Sequence, residues 1–231
     1  MKIALLSDLH GNMVATEAMA RELERHRPDQ VWFLGDAIGK GPENDKTCDW
    51  VRENCDHWVA GNWDRNLSRD KYQDNFYSRQ VGLERFAWLD SLPLEEELTI
   101  AGIRFRVTHG RPLDRLYFAD DDAETLREGL RFHDGRPAAQ GLIAADSHQP
   151  FVRTLAGGFV MNTGSVGNNL GGTPRAHALL LEGEPAGGSL GITRLSVAYD
   201  NQAAAAAADR YPDLPLREAF QREVLTGIYS R

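Results

Sequence analysis

The stretch KIALLSDLHGN, residues 2–12, decides how the rest of the chain is read. Residues 2–7 form a continuous apolar run, which suits a strand covered on both faces. The run gives way at once to Asp8 and His10. Asn12 then stands where it can cap a helix reaching about Arg27, with Ala15, Ala18, Met19 and Leu23 on one face and Pro28 closing it. VWFL (31–34) reads as the next strand, 44–54 as a helix and HWVA (57–60) as a short strand. The order β-α-β-α-β is the pattern of a parallel sheet with crossover helices.

Further along, the pattern predicts a helix over roughly 78–91. A hairpin follows, joining LTI (98–100) to IRFRVT (103–108), with Ile103, Phe105 and Val107 facing inward and Arg104 and Arg106 on a wet face. Residues 122–132 read as a helix, LIAA (142–145) as a strand, and FVRTL and FVMN within 151–162 as a second hairpin. ALLLEG (178–183) and ITRLSVAY (192–199) read as later strands. The six alanines 203–208 suit a surface helix or linker, and 217–229 a terminal helix. With no repeat and no boundary in composition, the expectation is a single domain over 1–231. It is a mixed α/β layered fold with antiparallel additions in its second half and a C-terminal helical extension over 201–231.

Composition narrows the function classes. The 42% hydrophobic content supports one sizeable core. No apolar run approaches the ~20 residues that span a bilayer, and the N-terminus does not read as a secretory signal. The net charge of −8, without a Lys/Arg block, argues against binding duplex nucleic acid. An acidic chain that handles phosphate must gather positive charge locally, as metal ions do. Cys48 and Cys55, seven residues apart on a helix, would be separated by about 10 Å, beyond the ~7 Å limit for a disulfide. They read as reduced core thiols of a cytoplasmic protein. Nothing in the sequence sets an oligomeric state.

Chemistry-bearing residues share one placement: each follows an apolar strand. Asp8 and His10 follow IALLS, Asp36 follows VWFLG, Asn62 follows HWVAG, His109 follows FRVT, and Asp146 with His148 follow LIAA. Loops at the carboxyl ends of parallel strands line the ligand crevice of α/β sheets. Mixed oxygen and imidazole ligands suit Mn²⁺, Fe or Zn²⁺ better than Ca²⁺. Seven candidates are too many for one tetrahedral ion and about right for two sharing a bridging carboxylate. His26, His57, His133 and His177 fall outside these loops and read as structural. Trp32, Trp50, Trp58 and Trp88 read as core.

The motifs SDLHGN (7–12), GDAIGKGP (35–42), GNWD (61–64), THG (108–110), ADSHQPF (145–151) and NTGSVG (162–167) resemble, in order and spacing, those of the calcineurin-like metallophosphoesterases. The likeness is to their small bacterial and archaeal phosphodiesterase branch. The resemblance implies a four-layer αββα sandwich with a dinuclear metal site at the sheet edge. Asp8, His10 and His148 would hold one ion, Asn62 and His109 the other, with Asp36 bridging. A hydroxide shared by the ions would attack phosphorus in line. Asp36, Asn62 and Asp64 are the expected catalytic residues.

Two positions depart from the family pattern. Asp146 stands where histidine is usual, and would complete the second ion's shell while adding a negative charge. That favours harder ions, Mn²⁺ or Fe²⁺, with Zn²⁺, Ni²⁺ and Mg²⁺ as alternatives. Trp63 stands where many members carry a histidine that protonates the leaving group, and it offers a face for a base or aryl ring. Lys40, Asn62, Trp63 and Arg65 are the expected substrate contacts, with Arg111, Asn168 and Asn169 weaker candidates. The reading is a phosphoesterase, most of all a phosphodiesterase, acting on a small nucleotide or aryl ester. The alternatives are a catalytically weakened metal- or phosphate-ligand-binding module of the same fold and, more weakly, a nuclease for short single strands.

Overall fold

The computed structural model describes residues 1–110 and 116–231. In chain order the elements begin with β1 (Lys2–Leu6), α1 (Met13–His26), β2 (Gln30–Phe33), α2 (Asn44–Asn54), β3 (His57–Trp58), α3 (Asn62–Arg69) and α4 (Phe76–Ser91). They continue with β4 (Glu95–Ile100), β5 (Ile103–Thr108), α5 (Ala123–Glu128), β6 (Gly141–Ala144), β7 (Phe151–Leu155) and β8 (Gly158–Asn162). The chain closes with β9 (Ala176–Glu182), β10 (Gly191–Val197), α6 (Asn201–Asp209) and α7 (Arg217–Thr226).

These strands form two five-stranded sheets, ordered β10-β9-β1-β2-β3 and β4-β5-β6-β8-β7. In the first, β1, β2 and β3 run parallel; in the second, β5, β6 and β8 do. The apolar run of β1 is explained by its two covered faces. Ile3 and Leu5 pack with Trp32, Phe105, Val107, Ile143 and Met161 between the sheets. Ala4 and Leu6 face the other way, against Met19, Leu23, Val51 and Phe86 of α1, α2 and α4. On the far side, Leu142, Ala144 and Val160 are covered by Leu126 and Leu130. The layers are therefore α, β, β, α, as the motif resemblance implied.

Several expectations change. The short helix α3 was not expected, and β4 begins three residues before LTI. Arg106 is not on a wet face. It is 1% exposed, with Nε donating to Glu95 Oε2 at 2.6 Å and Nη1 to Gly129 O at 2.9 Å. Its charge is paired by a residue distant in sequence, which alternation along one strand does not reveal. The alanine run is a helix, as one of the two expectations had it, but not a solvated one throughout: Asp200 caps α6, Ala203 and Ala206 are exposed, and Ala204, Ala205, Ala207 and Ala208 are buried, three of them in a cluster with Phe220 and Val224 of α7. Among the described residues no helix is long and apolar enough to cross a membrane.

Cys48 and Cys55 are free and buried, and burial pushes both thiols well above their ordinary range. The thiolate is the reactive form. Neither cysteine should react with a disulfide reagent in the native protein, and both should react in denaturant; titration with a chromogenic thiol reagent checks this.

Candidate metal centre

All five expected loops leave the carboxyl ends of parallel strands, three from the first sheet and two from the second. Five of the seven candidate ligands hold left-handed backbone: Asp8 (φ 55°), His10 (48°), Asp36 (61°), Asp146 (65°) and His148 (57°). Lys40 does too, at φ 55°. Non-glycine residues there cost roughly 1 kcal/mol or more each, and such strain collects at functional sites. Ala145, directly before Asp146, has no positive φ, and its methyl joins the inter-sheet core. Gly61 is required for closeness instead: a Cβ there would lie 2.0 Å from Asp36 Oδ1.

Three imidazoles are oriented from behind. His10 Nδ1 donates to Ile38 O at 3.2 Å, His109 Nδ1 to Leu34 O at 2.5 Å, and His148 Nδ1 to Asn168 O. A carbonyl can only accept, so each ring keeps its proton on Nδ1 and directs Nε2 inward. His10 Nε2 and His148 Nε2 then face each other at 3.2 Å. The carboxylates point the same way. Asp8 gives Oδ2 to the Ser7 hydroxyl (2.5 Å) and keeps Oδ1 inward. Asp36 gives Oδ1 to Trp63 N (2.9 Å) and keeps Oδ2 inward, 3.4 Å from both His10 Nε2 and His109 Nε2. Asp146 Oδ1 lies 3.6 Å from His109 Nε2 and accepts from Asn62 Nδ2 at 3.1 Å.

Asp8 Oδ1, Asp36 Oδ2, Asn62 Oδ1 and His109 Nε2 are buried without any hydrogen-bond partner. The three oxygens are lone pairs with no proton to meet, and with the imidazole nitrogen they make a donor set that fits cations. Two groups have metal-ligand geometry, Asp8–His10–His148 and Asp8–Asp36–His109. Asp8 is common to both, whereas Asp36 was the expected bridge; Asp36 Oδ2, equally close to His10 and His109, touches both groups as well. Electrostatics agree. Burial lowers His109, but Asp36, Asp146 and Asp8 outweigh it and hold the imidazole well above its ordinary range. The cluster draws in positive charge. Burial and the charge of Lys40 hold His10 well below that range.

Other expected site residues fall in different places. Asp64 is fully buried behind the site. Its Oδ2 accepts from Asp36 N (2.8 Å) and Gly61 N (3.0 Å), and its Oδ1 from Ala37 N (3.0 Å) and Ile38 N (3.4 Å). Burial and the charge of Asp36 push this carboxyl up to about 7, against the pull of those amides. It staples two metal loops together rather than facing a substrate. Arg65 is also turned away: its guanidinium donates to Asp90 O (3.2 Å) and Leu92 O (3.1 Å) at the end of α4. Arg111 lies outside the described residues.

Lys40 does reach the site. Its Nζ is 3.3 Å from His148 Nε2 and donates to Asn168 Oδ1 at 3.1 Å, and burial with the nearby Arg231 pulls it down to about 8. Trp63 stands edge-on to His10, ring centroids 5.9 Å apart. Lys40, Asn62, Trp63, Asp146 and His148 together line a cleft of about 530 Å³. Asn169, a weaker candidate, is tied instead to Arg175 O (3.1 Å) and Gly171 N (2.6 Å). His26, His57, His133 and His177 join neither ligand group.

Sequence reading missed the residues that hold the ligands. Asn162 donates to Ala145 O (2.7 Å) and Ser147 Oγ (3.1 Å), fixing the loop of Asp146 and His148. Ser165 Oγ donates to Asp8 O at 2.9 Å. Both lie in the NTGSVG motif, the one signal that pointed to them.

A family model of the calcineurin-like phosphoesterase superfamily domain matches residues 1–184. The chain belongs to this superfamily. Its class of reaction is hydrolysis of phosphoric esters. Among solved structures, the chain superposes on a metallophosphoesterase from Sphaerobacter thermophilus with TM-score 0.77, 22% identity and 99% of each chain covered. Against the hypothetical protein PH1004 from Pyrococcus horikoshii OT3 the TM-score is 0.79, with 17% identity and 99% of each chain covered. At these identities the likeness is one of fold. In sequence it is 25% identical over 179 residues to the uncharacterised protein MJ0912 of Methanocaldococcus jannaschii, spanning 71% of this chain and 69% of that one.

Two substitutions separate the staple from the site. Asp64→Ala strands four buried amides and should lower unfolding free energy by about 3 kcal/mol or more, read by urea denaturation. Arg65→Met should cost about 1–2 kcal/mol in the same assay and leave the KM for any phosphate ester unchanged.

Proposed function

We propose that the chain is a metal-dependent phosphodiesterase of the cytoplasm, acting as one domain on a small aryl- or nucleotide-type ester. The observation that carries this is the set of inward atoms of Asp8, Asp36, Asn62 and His109 with no proton partner. Asp8, His10 and His148 would hold one cation, and Asp36, Asn62, His109 and Asp146 the second. Two such cations, Mn²⁺ or Fe²⁺ by the hardness of these ligands, lower the pKa of water and neutralise phosphoryl oxygens.

The remaining roles belong to the chain itself. Lys40, at the cleft wall, binds a non-bridging phosphoryl oxygen, moving off His148 to do so. Asn62 orients the phosphoryl group through its amide. Trp63 supplies a face for the leaving group but no proton. Asp8, Asp36 and Asp146 carry three negative charges against two divalent cations, leaving one net positive charge. A monoanionic diester loses less from that reduced charge than a dianionic monoester, which favours diesters.

Protein purified without chelator should carry about two ions per chain and hydrolyse bis(p-nitrophenyl) phosphate with Mn²⁺. Asp36→Asn should lower that turnover by a factor of about 10² or more while the fold survives. One ion or none, with no turnover in any divalent metal, would return the binding-module reading. With Trp63 unable to act as an acid, a leaving-group series should show a steep dependence on leaving-group pKa. Alkyl leaving groups should fall behind by the ~10²–10⁴-fold that general acid catalysis provides; a flat series would show that another group supplies the proton.

A further inference from the structure

The superfamily match ends at residue 184, yet the chain beyond it returns to the metal cleft. Gly227 follows α7 in a left-handed conformation (φ 69°), and its carbonyl accepts from Gly172 N at 2.9 Å. Three residues on, Ser230 N donates to Glu223 Oε1 at 3.1 Å, Ser230 Oγ to Ala219 O at 3.0 Å, and Arg231 Nε to Glu223 Oε2 at 3.2 Å. Glu223 is fully buried, and the same Oε2 accepts from Asn168 Nδ2 at 3.0 Å. Asn168 in turn accepts from Lys40, and the Arg231 guanidinium lies 5.9 Å from the Trp63 ring centroid.

Tyr229 is thus held between two anchored points, Gly227 and Ser230. Its side chain is not packed away: the residue is 61% exposed and lines the cleft that Asn62, Asp146 and His148 also line. Trp63, Leu116, Phe118 and Leu170 share that lining. The cleft volume of about 530 Å³ is that of a site for a drug-sized ligand, and a phosphate group alone leaves most of it unfilled. Its wall chemistry is aromatic and aliphatic, suited to a flat apolar group attached to the phosphorus that the metal loops hold.

We infer that the C-terminal segment is a specificity element, in which Tyr229, with Trp63 and Phe118, forms a subsite for an aryl or nucleobase substituent of the phosphate ester. The inference rests on the phosphodiesterase reading for the position of the phosphate. Glu223 is a positioning residue, tying the tail to Asn168 and so to Lys40.

The test is binding rather than turnover. Mn²⁺-loaded wild type, Tyr229→Ala and Tyr229→Phe are titrated calorimetrically with diphenyl phosphate and with inorganic phosphate. In Tyr229→Ala the affinity for diphenyl phosphate should fall about fivefold relative to inorganic phosphate, the size of one aromatic contact. Tyr229→Phe, which keeps the ring, should retain the wild-type ratio. An unchanged ratio in Tyr229→Ala, or an equal loss for both ligands, would overturn the subsite. Failure of loaded wild type to bind inorganic phosphate at all would instead strike the functional reading on which the subsite stands.

Discussion

Three carboxylates, Asp8, Asp36 and Asp146, are aimed from the protein interior into one small volume that also receives the Nε2 atoms of His10, His109 and His148. Burying an ionised carboxylate costs several kcal/mol unless it is paired, and Asp8 Oδ1 and Asp36 Oδ2 meet no donor. Within the chain, the carboxylates hold the His109 imidazole well above its ordinary range, and Lys40 adds a cation beside them. Bound cations would remove the conflict. A centre that repels itself when empty must be held by everything around it, and much of the architecture is that restraint.

The restraint works at two levels. Parallel strands from both sheets end at one edge, so their loops converge without long excursions. Within the loops, backbone carbonyls of Ile38, Leu34 and Asn168 fix the three imidazoles, and Ser7 and the Trp63 amide each occupy one oxygen of Asp8 and Asp36. Asp64 ties the loop after β2 to the start of α3 through four amides. Left-handed backbone at five ligands aims short side chains inward, a cost that the surrounding bonds offset. Superfamily membership and this centre support each other, since neither the fold nor the ligand set would need the other's geometry alone.

The charge distribution joins site to substrate. A chain of net charge −8 has little long-range attraction for phosphate. Positive charge is concentrated instead at the ions the centre would hold, at Lys40 beside them and at Arg231 over Trp63. Asp146 moderates that concentration where an imidazole would not. The cleft adds recognition of another kind, an apolar wall to which residues far beyond the superfamily match contribute Tyr229.

What the sequence determined by itself was local in origin. Apolar runs marked β1, β2 and β6, and Asn12 marked the start of α1, because burial and capping depend on near neighbours. Residue type and position after a strand marked all seven candidate ligands, since topology carries strand ends to one edge. Contacts between distant segments were decided only by the tertiary structure. Arg106 was read as wet because Glu95 and Gly129, which pair it, are not its sequence neighbours along the alternating face. The alanines of α6 were read as surface because the aromatic side chain that covers them, Phe220, lies on another helix. Asp64 and Arg65 looked like site residues by proximity to Asn62, yet one turns toward the amides of β2's loop and the other toward the end of α4. Which oxygen of each carboxylate faces inward, and which nitrogen of each ring, follows from hydrogen bonds spanning up to 84 residues, as from Asn62 to Asp146. The chain's alphabet names the candidate ligands; only folding brings the second partner that aims them.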